Sequence, residues 1–196
     1  SNGPVVSVLA KCRAASICTY SGRGVVPPDT PLFLGSNLAR PGSAALLGAS
    51  DCVVVVGTDL AEVDLWRQTS GLRPGAAHIN IDPEVLARAH PRDETLQYDA
   101  LDALAALDAA LIHPPKSGWS QEIVAGFRDR FRAEVAAERP GILPVADALR
   151  SCLPPGTMIY SDMTQFAYAA KEVWDMERPG HWHHPTGFGT LGYALP

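Results

Sequence analysis

Basic residues are the scarcer charge in this sequence: 16 Lys and Arg stand against 21 Asp and Glu, a net charge of −5. Gripping nucleic acid requires a basic face that neutralises phosphates, so no nucleic-acid partner is expected. Long apolar runs are lacking too. None approaches the roughly 18 residues of a membrane span, so no membrane partner is expected. The opening SNGPVVSVLA has neither the basic region nor the cleavage site of a secretory signal. Only four cysteines occur, Cys12, Cys18, Cys52 and Cys152, with no CxxC pair and no metal-like spacing. Three of them sit in apolar surroundings (AKCRAAS, SICTY, SDCVVVV), which reads as buried free thiols of a cytoplasmic protein rather than disulfides. The chain also lacks a G-x-S-x-G, a P-loop and a G-x-G-x-x-G behind a strand. GFGTLG follows a proline, so it is no dinucleotide fingerprint. Internal repeats are absent.

The 196 residues suffice for one domain with an appendage or for two small ones. With 46% hydrophobic and 19% charged residues, the chain can bury a substantial core. Pro4 behind Asn2-Gly3 suits a helix start in PVVSVLAKCRA. SICTYSGRG reads as a short β-run closed by a glycine turn, VVPPDTPLFLG as an extended loop, and PGSAALLGAS as a helix. DCVVVVG is the clearest element. Its four valines, bounded by Asp51 and Gly57 and without polar alternation, read as a strand buried on both faces, as parallel strands are. AHINID gives a second strand and PEVLARAH a helix; ETLQYDALDALAALDAAL gives a last strand and a long helix. The alternation through residues 17–111 specifies an α/β fold, a doubly wound (Rossmann-like) parallel sheet with crossover helices. Residues 3–112 are expected to form this domain. Pro114-Pro115 and Gly118 mark a linker, and 113–140 add a charged amphipathic helix. Helix LPVADALRSC, strand TMIYSD and helix QFAYAAKEVW then begin a second α/β unit over 141–196.

Ligands of parallel α/β sheets bind beyond the carboxyl ends of the strands, where loops and helix N-termini present unpaired N–H groups. GTDLAEVD, IDPEVL and SDMTQF occupy such positions, and each can supply backbone donors with an acid or a hydroxyl. Asp82 can accept from a ribose or cap the helix beginning at Pro83, and capping is the preferred role. Asp59, Glu62 and Asp64 read as a solvated helix face. His181, His183 and His184 lack HxxxH spacing and a neighbouring acid, so HWHHP reads as a short strand rather than a metal site.

Five stretches carry a family resemblance. GRGVVPPDTPLFLG, ASDCVVVVGTDLAEVD and INIDPEVL resemble the central domain of the thiamine-diphosphate-dependent 2-oxoacid enzymes, the acetolactate synthase and benzoylformate decarboxylase superfamily. SDMTQFAYAA and HPTGFGTLGYALP resemble the opening of the diphosphate-binding domain that follows it. The resemblance implies thiamine diphosphate as cofactor, with Mg²⁺. It directs the Gly189 carbonyl toward the aminopyrimidine, in a turn that includes Gly187 and Thr190, and it places Leu191 where a bulky apolar residue holds the cofactor bent. Glycines there let the backbone approach closely. Asp162, Met163, Thr164 and Gln165 match the turn near the diphosphate, with Thr164 and Gln165 as side-chain donors. The alternative for these positions is a capped helix start in a scaffold.

The family's Gly-Asp-Gly…Asn metal motif and its activating glutamate have no counterpart in this sequence. No catalytic residue and no metal ligand is therefore expected in it, and the chain is expected to be an inactive fragment: a central domain with the truncated start of the diphosphate-binding domain. The central domain's usual first strand and glycine loop have no counterpart either. Val5–Leu9, Thr157–Ser161 or a second copy of the chain is expected to fill the strand's place, since an open gap would invite aggregation. FAD, which some members hold in this domain, is not expected without that loop. The parent activity implied is a lyase or carboligase acting on a small-molecule 2-oxoacid, in a homodimer or homotetramer. It would be acetolactate synthase-like, or a decarboxylase of a larger 2-oxoacid such as the guanidino-oxopentanoate type. A non-catalytic nucleotide-binding or structural α/β module is the reading from a different class.

Overall fold

A computed structural model describes residues 3–113, 116–185 and 187–195. The linker prolines Pro114 and Pro115 lie outside the described residues, as do Thr186 and Pro196 of the final stretch. The chain packs as two compact units, each assembled from two segments: Ser1–Ala14 with Leu38–Ser117, and Ala15–Asn37 with Gly118–Pro196. No helix among the described residues is long and apolar enough to cross a membrane.

The first unit comprises α1 (Gly3–Cys12), α2 (Pro41–Ala49), β1 (Val54–Val56), α3 (Glu62–Leu65), β2 (Ala77–Asn80), α4 (Pro83–Leu86), β3 (Glu94–Gln97) and α5 (Ala100–Ala110). The three strands form a parallel sheet in the order β1-β2-β3, with Val54 opposite Ala77 and Ala77 opposite Glu94. This is the α/β parallel architecture that the alternation predicts. Its helices start where the sequence supplies caps. Asp82 caps α4, its carboxylate accepting from the Glu84 N–H at 2.8 Å. Asp99 caps α5 by accepting from the N–H groups of Leu101 and Asp102. α1 packs against α5, and the Ser7 hydroxyl pins the pair by donating to Asp108 Oδ1 at 2.6 Å, with Lys11 Nζ 2.9 Å from the same oxygen. The Ser7 hydroxyl and then the Lys11 ammonium hold the Asp108 carboxyl below the ordinary range. Asp93 ties the β3 approach to β2: it accepts from the N–H groups of Gly75 (2.7 Å), Ala76 (3.2 Å) and His90 (3.1 Å), and pairs with His78 Nε2 at 3.1 Å.

Several expectations are corrected here. Neither Val5–Leu9 nor Thr157–Ser161 joins the three-stranded sheet. The first lies inside α1, and the second contributes residues to a strand pair in the other unit. The valine run is not buried on both faces: Val55 is 7% exposed and Val54 46%, and β1 is an edge strand among the described residues. Asp64 is buried with Leu65 on the inner side of α3, while Asp59 and Glu62 are exposed. All four cysteines are free, but only Cys18 is buried; Cys12 is half-buried, and Cys52 is exposed because the strand begins two residues after it. Burial pushes the Cys18 thiol up to about 11.

The second unit comprises α6 (Gln121–Glu138), α7 (Ile142–Cys152), β4 (Ile159–Tyr160), α8 (Gln165–Val173) and β5 (Trp182–His183). The three helices pack together. They bury Val135, Leu143 and Ala169 in one cluster, and Ala146, Ala170, Trp174 and Met176 with Trp182 in another. β4 and β5 pair in parallel, Ile159 opposite Trp182 and Tyr160 opposite His183. The expected β-run at SICTYSGRG is reduced to two isolated parallel bridges, Ser16 with Phe33 and Arg23 with Val26. That segment, which the sequence reading groups with 38–112, packs with residues 118–196. Its side chains find their partners there. The Arg23 guanidinium lies 4.4 Å over the Trp182 ring and donates to the Tyr20 carbonyl at 2.8 Å, and Lys171 Nζ sits 3.8 Å over the Tyr20 ring. Gly24, at φ 84°, lies so close to the main chain that a Cβ would stand 2.1 Å from the Arg178 carbonyl carbon.

Candidate functional site

β4 ends at Tyr160, and residues 161–164 turn the chain into α8. Asp162 stands in that turn. Its Oδ2 accepts from the Gly192 N–H at 2.9 Å, and its Oδ1 accepts from the N–H groups of Tyr193 at 2.7 Å and Ala194 at 2.8 Å. The Met163 N–H donates to the Thr190 carbonyl at 3.1 Å. Asp162 and Met163 are thus brought against the glycine turn some thirty residues later in sequence. The parallel pairing of β5 beside β4 explains this, since both strands deliver their following residues to the same end of the pair. The Gly192 N–H, then the Ala194 and Tyr193 N–H groups, hold the Asp162 carboxyl below the ordinary range.

The turn itself is built on left-handed backbone. Phe188 has φ 60°, Gly189 φ 58° and Gly192 φ 85°, and the Thr190 hydroxyl donates to the Gly187 carbonyl at 2.9 Å. A methyl group on Gly187, Gly189 or Gly192 would meet no atom within 4 Å, so one side of the turn is open among the described residues. Phe188 and Leu191 are exposed beside it. An open glycine face flanked by exposed apolar side chains can receive a flat ring, with main-chain groups to meet its polar edge.

Thr164 and Gln165 are engaged elsewhere. Thr164 Oγ1 caps α8, accepting from the Ala167 N–H at 3.3 Å, and Gln165 Oε1 accepts from Arg139 Nε at 2.9 Å. GTDLAEVD and IDPEVL lie in the other unit, beyond the ends of β1 and β2. Asp82 is the cap already described. Among the described residues, no three His, Cys, Asp or Glu side chains gather as a metal site.

A further arrangement escapes the sequence. Trp182 Nε1–H donates to Ser161 Oγ at 2.8 Å, and the same hydroxyl hydrogen-bonds with His184 Nδ1 at 3.0 Å. Burial, then the Lys171 and Arg23 charges, push the His184 pKa down to about 4, so the ring is neutral at pH 7. The neighbouring His183 stacks on Tyr160 at 4.5 Å. HWHHP alone does not announce this cluster; it depends on the register that sets Tyr160 opposite His183.

Residues 3–107 match the family described as thiamine pyrophosphate enzyme, central domain. Over 99% of its length the chain is 32% identical to a probable 2-ketoarginine decarboxylase of Pseudomonas aeruginosa, covering 35% of that protein. It is 25% identical to the large subunit of acetolactate synthase isozyme 1 of Escherichia coli, over 98% of this chain and 35% of that subunit. A pyruvate oxidase of Lactiplantibacillus plantarum is 26% identical over 68% of the chain and 23% of its own length. The chain therefore spans 35% of the length of the first two of these relatives.

Proposed function

The chain belongs to the thiamine pyrophosphate enzymes, whose central domain it carries over residues 3–107, and on that premise we propose that the whole protein is a 2-oxoacid lyase that works with thiamine diphosphate and Mg²⁺. The observation that carries the reading is the extent of the similarity. It runs over 99% of the chain for the decarboxylase and 98% for the synthase, well past the central domain and into the second unit. The higher identity to the probable 2-ketoarginine decarboxylase, 32% against 25%, favours decarboxylation of a larger 2-oxoacid over acetolactate synthesis.

When bound, thiamine diphosphate supplies the electron sink that lets the 2-oxoacid lose CO₂. The chain's own contribution is one wall of the site. The open side of Gly187 and Gly189 fits a flat ring, and we assign the Gly189 carbonyl to the aminopyrimidine and the exposed Leu191 side chain to support of the bent cofactor. Met163, Thr164, Gln165 and Thr190 line the approach to the diphosphate. Because the Thr164 and Gln165 side chains already have partners, the positive end of α8 is the better anchor for that charge. The whole protein is assigned to a homodimer or homotetramer, as is common in the family.

Purified whole protein, supplied with thiamine diphosphate and Mg²⁺, should release CO₂ from 5-guanidino-2-oxopentanoate without forming acetolactate from pyruvate. Acetolactate from pyruvate would instead place it with the synthases. Turnover of neither substrate, with no thiamine diphosphate bound in a calorimetric titration, would overturn the lyase reading and leave an α/β scaffold.

A further inference from the structure

We propose that Asp162 is a positioning residue that presents Leu191, and that it does not touch the cofactor; the proposal rests on the reading of the glycine turn as a cofactor wall. Both carboxylate oxygens are committed to main chain: Oδ2 accepts from the Gly192 N–H, and Oδ1 from Tyr193 and Ala194. A second tie lies on the other side of Leu191, where the Met163 N–H donates to the Thr190 carbonyl at 3.1 Å. Leu191 is therefore held at its preceding carbonyl and at its following N–H, both by the turn that leaves β4. Its side chain is 69% exposed.

Packing does little of this job beyond the Tyr193 ring, whose centroid lies 6.3 Å from that of Tyr160. Phe188, Leu191 and Leu195 are exposed, and a methyl group on Gly187, Gly189 or Gly192 would meet nothing within 4 Å. Gly192, at φ 85°, also has a wide choice of alternative backbone conformations. Hydrogen bonds to an ionised acceptor thus carry much of the selection of one conformation at residues 192–194 of this turn. A carboxylate suits the task because it only accepts, and three converging N–H groups need an acceptor on both oxygens. An asparagine carboxamide would set its NH₂ against one of those N–H groups. Asp162 thereby fixes where an apolar support stands relative to β4, the element that orients α8.

The test is Asp162→Asn in the whole protein, followed by backbone amide exchange and by calorimetric titration with thiamine diphosphate and Mg²⁺. The expected result is exchange of the Gly192, Tyr193 and Ala194 amides faster by about tenfold or more, with α6 amides unchanged and a weakened cofactor. Asp162→Glu, which keeps the carboxylate, should restore part of both. Weaker cofactor with unchanged exchange would mean that Asp162 contacts the cofactor directly, and would overturn the proposal. So would faster exchange with unaltered affinity. If the wild-type protein binds no thiamine diphosphate while the variant still exchanges faster, the cofactor-wall reading falls and the backbone clamp alone stands. If Asp162→Asn fails to fold, the wild-type protein decides the matter: without cofactor, amides 192–194 must be protected relative to the Gly187 and Gly189 amides, and equal exchange overturns the clamp.

Discussion

His184 shows how much one register decides. Its neutral imidazole follows from burial and from the Lys171 and Arg23 charges beside it, in a place set by the hydrogen bonds around Ser161. The folded pKa of about 4 lies below the ordinary histidine value near ~6.5, so between those limits the unfolded chain binds a proton that the folded one refuses. The stability that His184 contributes is complete above the ordinary value and is lost as pH falls toward 4. Thermal melts from pH 7.5 down to 4.5 should show this loss, and His184→Gln should flatten it; because the ring is only half-buried, the slope should stay below one proton. Equal slopes for both proteins would refute the assignment. Single residues divide cleanly by legibility. Asp82 was readable as a cap because its partner, Glu84, is two residues away. The role of Ser161 was not, because its partners are more than twenty residues distant.

Elements read well from the sequence where their signals are local. PGSAALLGAS, the helical ends of ETLQYDALDALAALDAAL and of 113–140, and the acid-free valine run all give helices or strands where expected. What the pattern cannot supply is an element's neighbours. Four valines do not reveal that β1 stands at an edge, and a β-branched stretch at residues 5–9 does not exclude a helix that packs on α5. The same limit applies to Thr164, whose motif position suggests a diphosphate donor and whose hydroxyl caps α8. Thr164→Ala should cost about 1 kcal/mol of stability, measured by urea unfolding, and Thr164→Ser should restore most of it. A variant of unchanged stability that loses thiamine diphosphate would instead make Thr164 a cofactor ligand.

The whole molecule was most legible where a compound motif did the work: SDMTQF and GFGTLGYALP are read together, and folding brings Asp162 and Met163 against the second of them. Since the chain spans 35% of its decarboxylase relative, the 196 residues alone should show no turnover and weaker thiamine diphosphate binding than the whole protein in parallel titrations. Equal affinity would show that the chain is a complete cofactor site. The two units also interleave along the chain, 15–37 belonging with 118–196 and the intervening residues with the first unit. On a ribosome this sets an order of events. The first unit can close once Ser117 has emerged, whereas Tyr20, Phe33 and Leu34 must wait until α6 to α8 follow the 80 residues between. At about 5–20 residues per second that delay is on the order of ten seconds. The longest wait for native partners during synthesis therefore falls on the second unit's opening segment, and slow elongation prolongs it.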